Sequence, residues 1–209
     1  MLKQTVKLIE CPRDAMQGIR QFIHTEKKIS YINKLLKVGY YAIDFGSFVS
    51  HDIIPQMADT ARVLDGLDLT NTQSKLIAII ANERGAKDAC AFPQIDCLGF
   101  PFSVSETFQQ RNANSTIEES LERVKRIKHL CDQHNKELVL YVSMAFGNTY
   151  GDPAGHSCLA VDGPTAVVPG SHRSGRLPPL SRIDDPALTY DEAARPIESA
   201  IDCMILLFK

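Results

Sequence analysis

The sequence has no tryptophan and no apolar run long enough to cross a membrane. A run such as Met204–Phe208 is far shorter than the roughly 20 residues that a membrane span needs. Lysine and arginine number 23 against 25 acidic residues, a formal net charge of −2, so there is no basic surplus to attract nucleic acid. We therefore expect neither a membrane nor a nucleic-acid partner.

Metal-binding and targeting patterns are also missing. The six cysteines and six histidines are scattered, without any C-x-x-C, H-x-H or H-x-x-x-H pair, which argues against a self-contained zinc site. The N-terminus has neither a secretory apolar core nor the Arg/Ser-rich character of a transit peptide. These absences predict a cytoplasmic protein whose cysteines are buried thiols.

From residue 5 to about 150, apolar strand-like runs alternate with amphipathic helical stretches. The predicted strands are Thr5–Cys11, Tyr41–Asp44, Leu76–Ile80, Cys97–Phe102 and Leu138–Val142. This alternation is typical of a parallel sheet with right-handed crossovers, built either as an open doubly wound sheet or as a (β/α) barrel. The glycine fingerprint G-x-G-x-x-G is absent, which disfavours a dinucleotide-binding sheet.

The intervening helices are predicted from caps and apolar faces. One begins at Thr25, whose hydroxyl can cap it, and ends before Gly39; a short one spans Glu83–Ala91. Three helices are predicted to have an apolar face. The residues of these faces are Ile29, Ile32, Leu35 and Leu36 in the first helix, Ile53, Met57, Ala61 and Leu64 in the second, and Leu121, Val124, Ile127 and Cys131 in the third, which begins with a capping box at Thr116. Lys27–Lys28 and Glu118–Glu119 are interpreted as solvated helix faces.

The pattern stops after Tyr150. Seven of the eleven prolines lie between Pro153 and Pro196, and Lys209 is the only lysine beyond residue 150. Tyr190–Ala200 is the one stretch there with helical character, and Pro196 interrupts it. We predict two regions, a partial (β/α) barrel over residues 1–152 and an irregular proline-rich tail over 153–209.

Polar residues that follow barrel strands line the site in folds of this kind. Arg13 and Asp14 follow the first predicted strand, Asp44 ends the second and Ser143 follows the fifth. Arg13 offers a charged fork for a carboxylate, thioester oxygen or phosphate, and Asp14 a hard oxygen ligand for Mg²⁺ or Mn²⁺. The alternative is an Arg–Asp pair that closes a loop, and for Asp44 a helix or turn cap.

Several ordered motifs resemble the hydroxymethylglutaryl-CoA lyase family over roughly residues 5–152. They are Val6–Gln17 with its Cys-Pro-Arg-Asp core, Ile43–Ser50 followed by Ile54–Asp59, Leu76–Asn82, Ser105–Asn112, Thr116–Ser120 and Tyr141–Gly147. The wider group includes isopropylmalate and citramalate synthases, and the Ser-Phe-Val-Ser and Pro-Gln-Met blocks favour the lyase branch.

The resemblance implies a TIM-type barrel that binds a divalent cation, Mg²⁺ or Mn²⁺, and cleaves 3-hydroxy-3-methylglutaryl-CoA to acetyl-CoA and acetoacetate. It implies Arg13 and Asp44 as catalytic residues, with Asp44 standing where the family usually has glutamate. It further implies Asp14 as a metal ligand and Arg13, Gln17 and Asn82 as substrate-binding residues. The expected partner is the acyl-CoA substrate, with a homodimer as one option.

The same resemblance implies features that the tail lacks. The family's H-x-H pair, its further asparagine ligand and its glycine-rich loop with a reactive cysteine have no counterpart after Tyr150. Five predicted strands fall short of a barrel's eight, so we expect unpaired strand edges and an open core. The alternatives to a lyase are an inactive truncated remnant or interaction subunit, and a Claisen-type synthase of the same superfamily.

Overall fold

The fold is an α/β sheet that the computed structural model describes for residues 7–144 and Tyr150, and for the backbone of 165–167 and 203–208. Five strands run parallel. They are β1 (Ile9–Glu10), β2 (Ala42–Ser47), β3 (Lys75–Ile79), β4 (Cys97–Ser103) and β5 (Glu137–Ser143). All five predicted strands are therefore confirmed, with the described part of the first shorter than expected and the second longer.

The strand order distinguishes the two architectures that the sequence left open. Each strand from β1 to β5 pairs in parallel with the next one along the chain. A doubly wound sheet reverses its strand order at a switch point, whereas a (β/α) barrel adds strands in sequence. The five strands are thus wound as part of a barrel, and the prediction of an incomplete barrel is confirmed.

Helices connect the strands. They are α1 (Pro12–Gln17), α2 (Thr25–Leu36), α3 (Thr60–Asp65), α4 (Glu83–Cys90), α5 (Glu106–Ala113) and α6 (Ile117–Gln133), with a 3-10 turn at Pro55–Met57. The Thr116 capping box is confirmed, and Gly39 follows the end of α2 as predicted, with a left-handed backbone (φ 84°). Neither α1 nor α5 was predicted as a helix.

Three helix details were predicted wrongly. Thr25 does not cap α2, since His24 holds that position and the Thr25 hydroxyl instead donates to Asp59 Oδ2 at 2.7 Å. Ile53 and Leu121 are exposed and do not share the buried faces assigned to them. For Ile53 the reason is local: Pro55 opens a separate 3-10 turn, so the residue lies outside α3.

The sheet is buried on both faces, as expected for parallel strands. Side chains that alternate along the strands, such as Leu76, Ala78, Leu138 and Leu140, pack with the helices into the larger core. The opposite face carries a smaller apolar cluster made of Ile9, Ala42, Ile77, Ile79, Cys97, Val139 and Tyr141. This second face corresponds to the inside of a barrel. Asp44 is fully buried in strand β2.

Two further strands come from the tail. β7 (Cys203–Phe208) pairs antiparallel with β5, and β6 (Thr165–Val167) pairs antiparallel with β7. The expectation of unpaired strand edges therefore does not hold at β5, whose free side is paired with β7. The stretch Tyr190–Ala200 lies outside the described residues. Among the helices that the structure describes, none is long and apolar enough to cross a membrane.

Candidate active site

Short helix α1 places three predicted site residues at the end of β1. Pro12 occupies its first turn, where the fixed φ and missing N–H of proline are tolerated. Arg13 and Gln17 are four residues apart and so lie on the same side of the helix, with Asp14 beside them. Arg13 and Asp14 therefore lie just beyond the end of β1, in the first turn of α1.

Arg13 forms a buried ion pair with Asp44 of β2. Its Nε lies 3.1 Å from Oδ1 and 3.2 Å from Oδ2, and its Nη2 lies 2.6 Å from Oδ2. The side chain of Arg13 is 8% exposed and that of Asp44 is 0% exposed. The β2–β3 register shifts between Asp44 and Gly46, and irregularities of this kind redirect side chains near active sites. Asp44 is therefore a partner of Arg13 and not a turn cap.

The other terminal nitrogen of Arg13 contacts α1 itself. Arg13 Nη1 donates to Asp14 Oδ1 at 2.8 Å and to Gln17 Oε1 at 2.9 Å, and Gln17 Nε2 donates to the same Asp14 oxygen at 3.2 Å. The Asp14 side chain is 44% exposed. Four of the five predicted site residues, Arg13, Asp14, Gln17 and Asp44, thus form one hydrogen-bonded cluster.

Asn82, the fifth predicted residue, has a local role in the structure. It is the N-cap of α4, where its Oδ1 accepts a hydrogen bond from the Gly85 backbone N–H at 2.9 Å. Within the described part of the chain, no hydrogen bond joins Asn82 to the Arg13 cluster. Substrate binding by Asn82 stays a prediction.

Tyr141 belongs to the cluster and was not predicted as a site residue. Its hydroxyl donates to Asp44 Oδ2 at 3.2 Å, from the barrel-facing side of β5. Tyrosine combines an apolar ring with a polar tip that seeks a partner when buried. A tyrosine on the inner face of an otherwise apolar strand was the signal that could have identified it.

The low-polarity surroundings shift the protonation of these groups. Burial raises the pKa of the Asp44 carboxyl, and the Arg13 guanidinium opposes that shift. For Arg13, burial alone would lower the pKa, but the Asp44 carboxylate outweighs it and the pKa is raised. Burial, with a contribution from Asp44, also raises the pKa of Tyr141 and that of the Cys11 thiol. Cys11 and Tyr141 are therefore neutral at physiological pH.

A second buried ion pair fixes the segment that follows α1. Lys28 Nζ lies 2.7 Å from Asp59 Oδ1, so the interpretation of Lys28 as a solvated residue is wrong. The Gln56 side chain donates to the carbonyl oxygens of Ile19 and Gln21 at 2.9 and 3.0 Å. The amide therefore ties residues 19–23 to the segment before α3, and the ion pair ties α2 to the same segment.

The described residues do not by themselves make a metal site. Among them, no group of three or more His, Cys, Asp or Glu side chains is placed to hold a metal ion. Asp14 can supply carboxylate oxygen, but Mg²⁺ and Ca²⁺ sites take about six or more oxygen ligands, water included. Any cation at Asp14 would need ligands from outside the described residues or from solvent.

The known proteins that resemble this chain in sequence are named as hydroxymethylglutaryl-CoA lyases. No protein-family model matches the chain. The cytoplasmic 3-hydroxy-3-methylglutaryl-CoA lyase of Rattus norvegicus is 33% identical over 150 residues, 71% of this chain and 43% of that protein. The hydroxymethylglutaryl-CoA lyase YngG of Bacillus subtilis is 32% identical over 148 residues, 71% of this chain and 48% of that protein. Lyases named mitochondrial match as well.

Solved structures lead to the same family. The crystal structure of the Bacillus subtilis lyase superposes with a TM-score of 0.66 at 32% identity, over 70% of this chain and 49% of that one. The HMG-CoA lyase from Pseudomonas aeruginosa gives a TM-score of 0.65 at 32% identity, over 70% and 49%. The chain spans about half the length of the relatives it matches. Over that half, this chain is similar in sequence and fold to the hydroxymethylglutaryl-CoA lyases.

Proposed function

We propose that this chain carries the Arg13 site of a carbon–carbon lyase that cleaves 3-hydroxy-3-methylglutaryl-CoA to acetyl-CoA and acetoacetate. The observation that carries the proposal is the buried Arg13–Asp44 pair at the strand ends, with Asp14 and Gln17 on the same guanidinium. The relatives that match this segment are named as lyases of that substrate. One of them, from Pseudomonas aeruginosa, is named for a 3-hydroxy-3-isohexenylglutaryl-CoA substrate as well.

The reaction needs a fixed positive charge beside the thioester. A general base takes the proton of the tertiary hydroxyl, the bond between C2 and C3 breaks, and the electron pair of that bond moves to C2 as the thioester enolate. The former alcohol carbon becomes the ketone of acetoacetate, and protonation of the enolate gives acetyl-CoA. A preorganised guanidinium stabilises the negative charge that develops on the thioester oxygen. Arg13 is the residue we assign to that role.

Asp44 acts through Arg13. Both of its carboxylate oxygens contact the guanidinium, and its side chain is fully buried, so it orients Arg13 and balances its charge. We therefore propose Asp44 as a positioning residue, together with Tyr141, which donates to it. Among the described residues, these contacts leave one N–H of Arg13 Nη2 without a partner, available for a substrate oxygen.

Other parts of the proposal rest on the resemblance. Gln17 and Asn82 are proposed to bind substrate, and Asp14 is proposed as a ligand of Mg²⁺ or Mn²⁺. The described residues do not complete a cation site, and the roles proposed for Arg13 and Asp44 do not depend on a metal. We further propose residues 1–152 as the catalytic region, 153–209 as an appended tail, and a cytoplasmic location.

The experiment compares the two directions of carbon–carbon chemistry. The purified chain is incubated with 3-hydroxy-3-methylglutaryl-CoA and acetyl-CoA is quantified; in parallel it is incubated with acetyl-CoA and a 2-oxo acid and free CoA is quantified. The proposal predicts acetyl-CoA in the first incubation and no enzyme-dependent CoA release in the second. CoA release in the second incubation alone would overturn the proposal in favour of a synthase.

A further inference from the structure

Strand β5 is the last strand of the parallel series and presents a long backbone edge. Its seven residues all pair with β4, from Cys97↔Glu137 to Ser103↔Ser143. Five of them, Leu138–Val142, are apolar or aromatic. An apolar strand of this length with unpaired N–H and C=O groups on its other side is a template for pairing with another chain.

The other side of β5 is occupied by the end of the same chain. β7 pairs antiparallel with β5 over six residues, from Leu138↔Phe208 to Ser143↔Cys203. In a (β/α) barrel the next strand would pair in parallel at that position. β7 therefore occupies the place of the next barrel strand with the opposite chain direction.

This pairing changes which strands form the edges of the sheet. The seven-stranded sheet ends at β1 on one side and at β6 on the other. The described part of β1 has two residues and β6 has three, against seven in β5. Very short edge strands are one of the ways in which natural sheets avoid association through their edges.

We propose that the C-terminal segment Cys203–Phe208 is an edge cap that prevents β5 from pairing with β5 of a second copy. The proposal depends on strand order and register and not on the lyase chemistry, so either can fail without the other. It also implies that any complementing barrel half must displace β7 before it can extend the sheet from β5.

The first test is amide hydrogen exchange on the chain of 209 residues, resolved by residue with NMR. In a strand with neighbours on both sides, successive backbone N–H groups are bonded alternately to one neighbour and the other. The cap predicts slow exchange at consecutive amides from Leu138 to Val142, in a protein that sedimentation velocity shows to be monomeric. Slow exchange at every second amide only would overturn the proposal.

The second test removes the cap. A chain that ends at Asp202 is compared with a chain that lacks only Lys209, which keeps all of β7. We expect the chain ending at Asp202 to self-associate at least about 10-fold more strongly in sedimentation experiments, while the control behaves like the full chain. A folded truncated chain that stays as monomeric as the control would overturn the proposal. If the truncated chain does not fold, the exchange pattern of the full chain decides.

Discussion

Arg13 Nη2 lies 2.6 Å from Asp44 Oδ2, and this contact joins helix α1 to strand β2 at the candidate site. Both partners are buried, so each charge depends on the other for compensation. The same guanidinium contacts Asp14 and Gln17, which places one buried pair at the centre of the cluster. Stability and chemistry are therefore linked at Arg13.

Replacing Asp44 by Asn should destabilise the protein strongly. The change leaves the Arg13 guanidinium buried without its counter-charge, which typically costs about 3–5 kcal/mol of unfolding free energy. Urea denaturation measures the loss. The double variant Arg13→Met/Asp44→Leu should lose less unfolding free energy than Arg13→Met and Asp44→Leu lose in sum, because the double variant removes both charges.

The control for Asp44→Asn is an exposed ion pair. Glu83 accepts from Arg126 Nε at 2.7 Å, and the Arg126 side chain is 57% exposed. Glu83→Gln should change the unfolding free energy by no more than about 0.5 kcal/mol. Equal effects of Asp44→Asn and Glu83→Gln would contradict the burial and pairing of Asp44.

Tyr141→Phe tests the hydrogen bond that the Tyr141 hydroxyl donates to Asp44, the buried partner of Arg13. Phenylalanine keeps the ring but removes the donor to Asp44 Oδ2, which should cost about 1–2 kcal/mol because the acceptor is charged and buried. Urea denaturation gives the value. Tyr41→Phe is the control, since the Tyr41 ring beside Lys7 and Lys75 is preserved. If both variants lose the same amount, the Tyr141 hydroxyl is not specifically bonded to Asp44.

Gly99→Ala tests the packing that holds Tyr141 in place. A Cβ at Gly99 would lie 2.4 Å from Ile79 Cδ1 and 2.8 Å from Tyr141 Cε2, so both side chains would have to move. Overpacking of this kind typically costs about 1–3 kcal/mol, measurable by urea denaturation. Gly18→Ala is the matched control, because a Cβ there meets nothing within 4 Å. A Gly99→Ala variant as stable as Gly18→Ala would show that β4 and Tyr141 are not so closely packed.

The strands and part of the site were predictable from local sequence. Leu76–Ile80 is a continuous apolar run of the kind that forms a doubly buried strand, and it gave β3 to within one residue. Arg13 and Asp14 are neighbours at a predicted strand end, so their proximity required no knowledge of the tertiary fold. Both predictions rest on information within a few residues of the chain.

Long-range pairings were not predictable in this way. Asp44 is 31 residues from Arg13 and 97 from Tyr141, and their contacts depend on strand register. Lys28 was misassigned because its counter-charge, Asp59, is 31 residues away. The pairing of β7 with β5 depends on an edge that exists only once the sheet has formed.

The stability of the protein should fall at alkaline pH through Cys97. Burial, aided by Glu137, raises the pKa of the Cys97 thiol from 9.0 to about 12. Because the folded-state pKa is the higher one, this contribution to stability is complete below pH 9 and is lost as pH rises toward 12. The expected loss from this thiol is about 1 kcal/mol between pH 9 and pH 10.

Urea denaturation at both pH values measures that loss. The unfolding free energy of Cys97→Ala should decrease less over the same interval, because this variant lacks the thiol. The other titrating groups are common to both proteins and contribute equally. Parallel pH profiles for the two proteins would mean that Cys97 is not buried in the folded state.

Acetoacetate release from 3-hydroxy-3-methylglutaryl-CoA in the presence of Mn²⁺, by the full chain and by Asp14→Asn, tests the proposed function most directly. The Asp14 side chain is 44% exposed and asparagine keeps an Oδ1 that can accept from Arg13 Nη1, so the variant should stay folded, which urea denaturation verifies. The proposal predicts turnover by the full chain and a decrease of at least about 100-fold in the variant. No acetoacetate from the full chain, or equal rates from the two proteins, would contradict it.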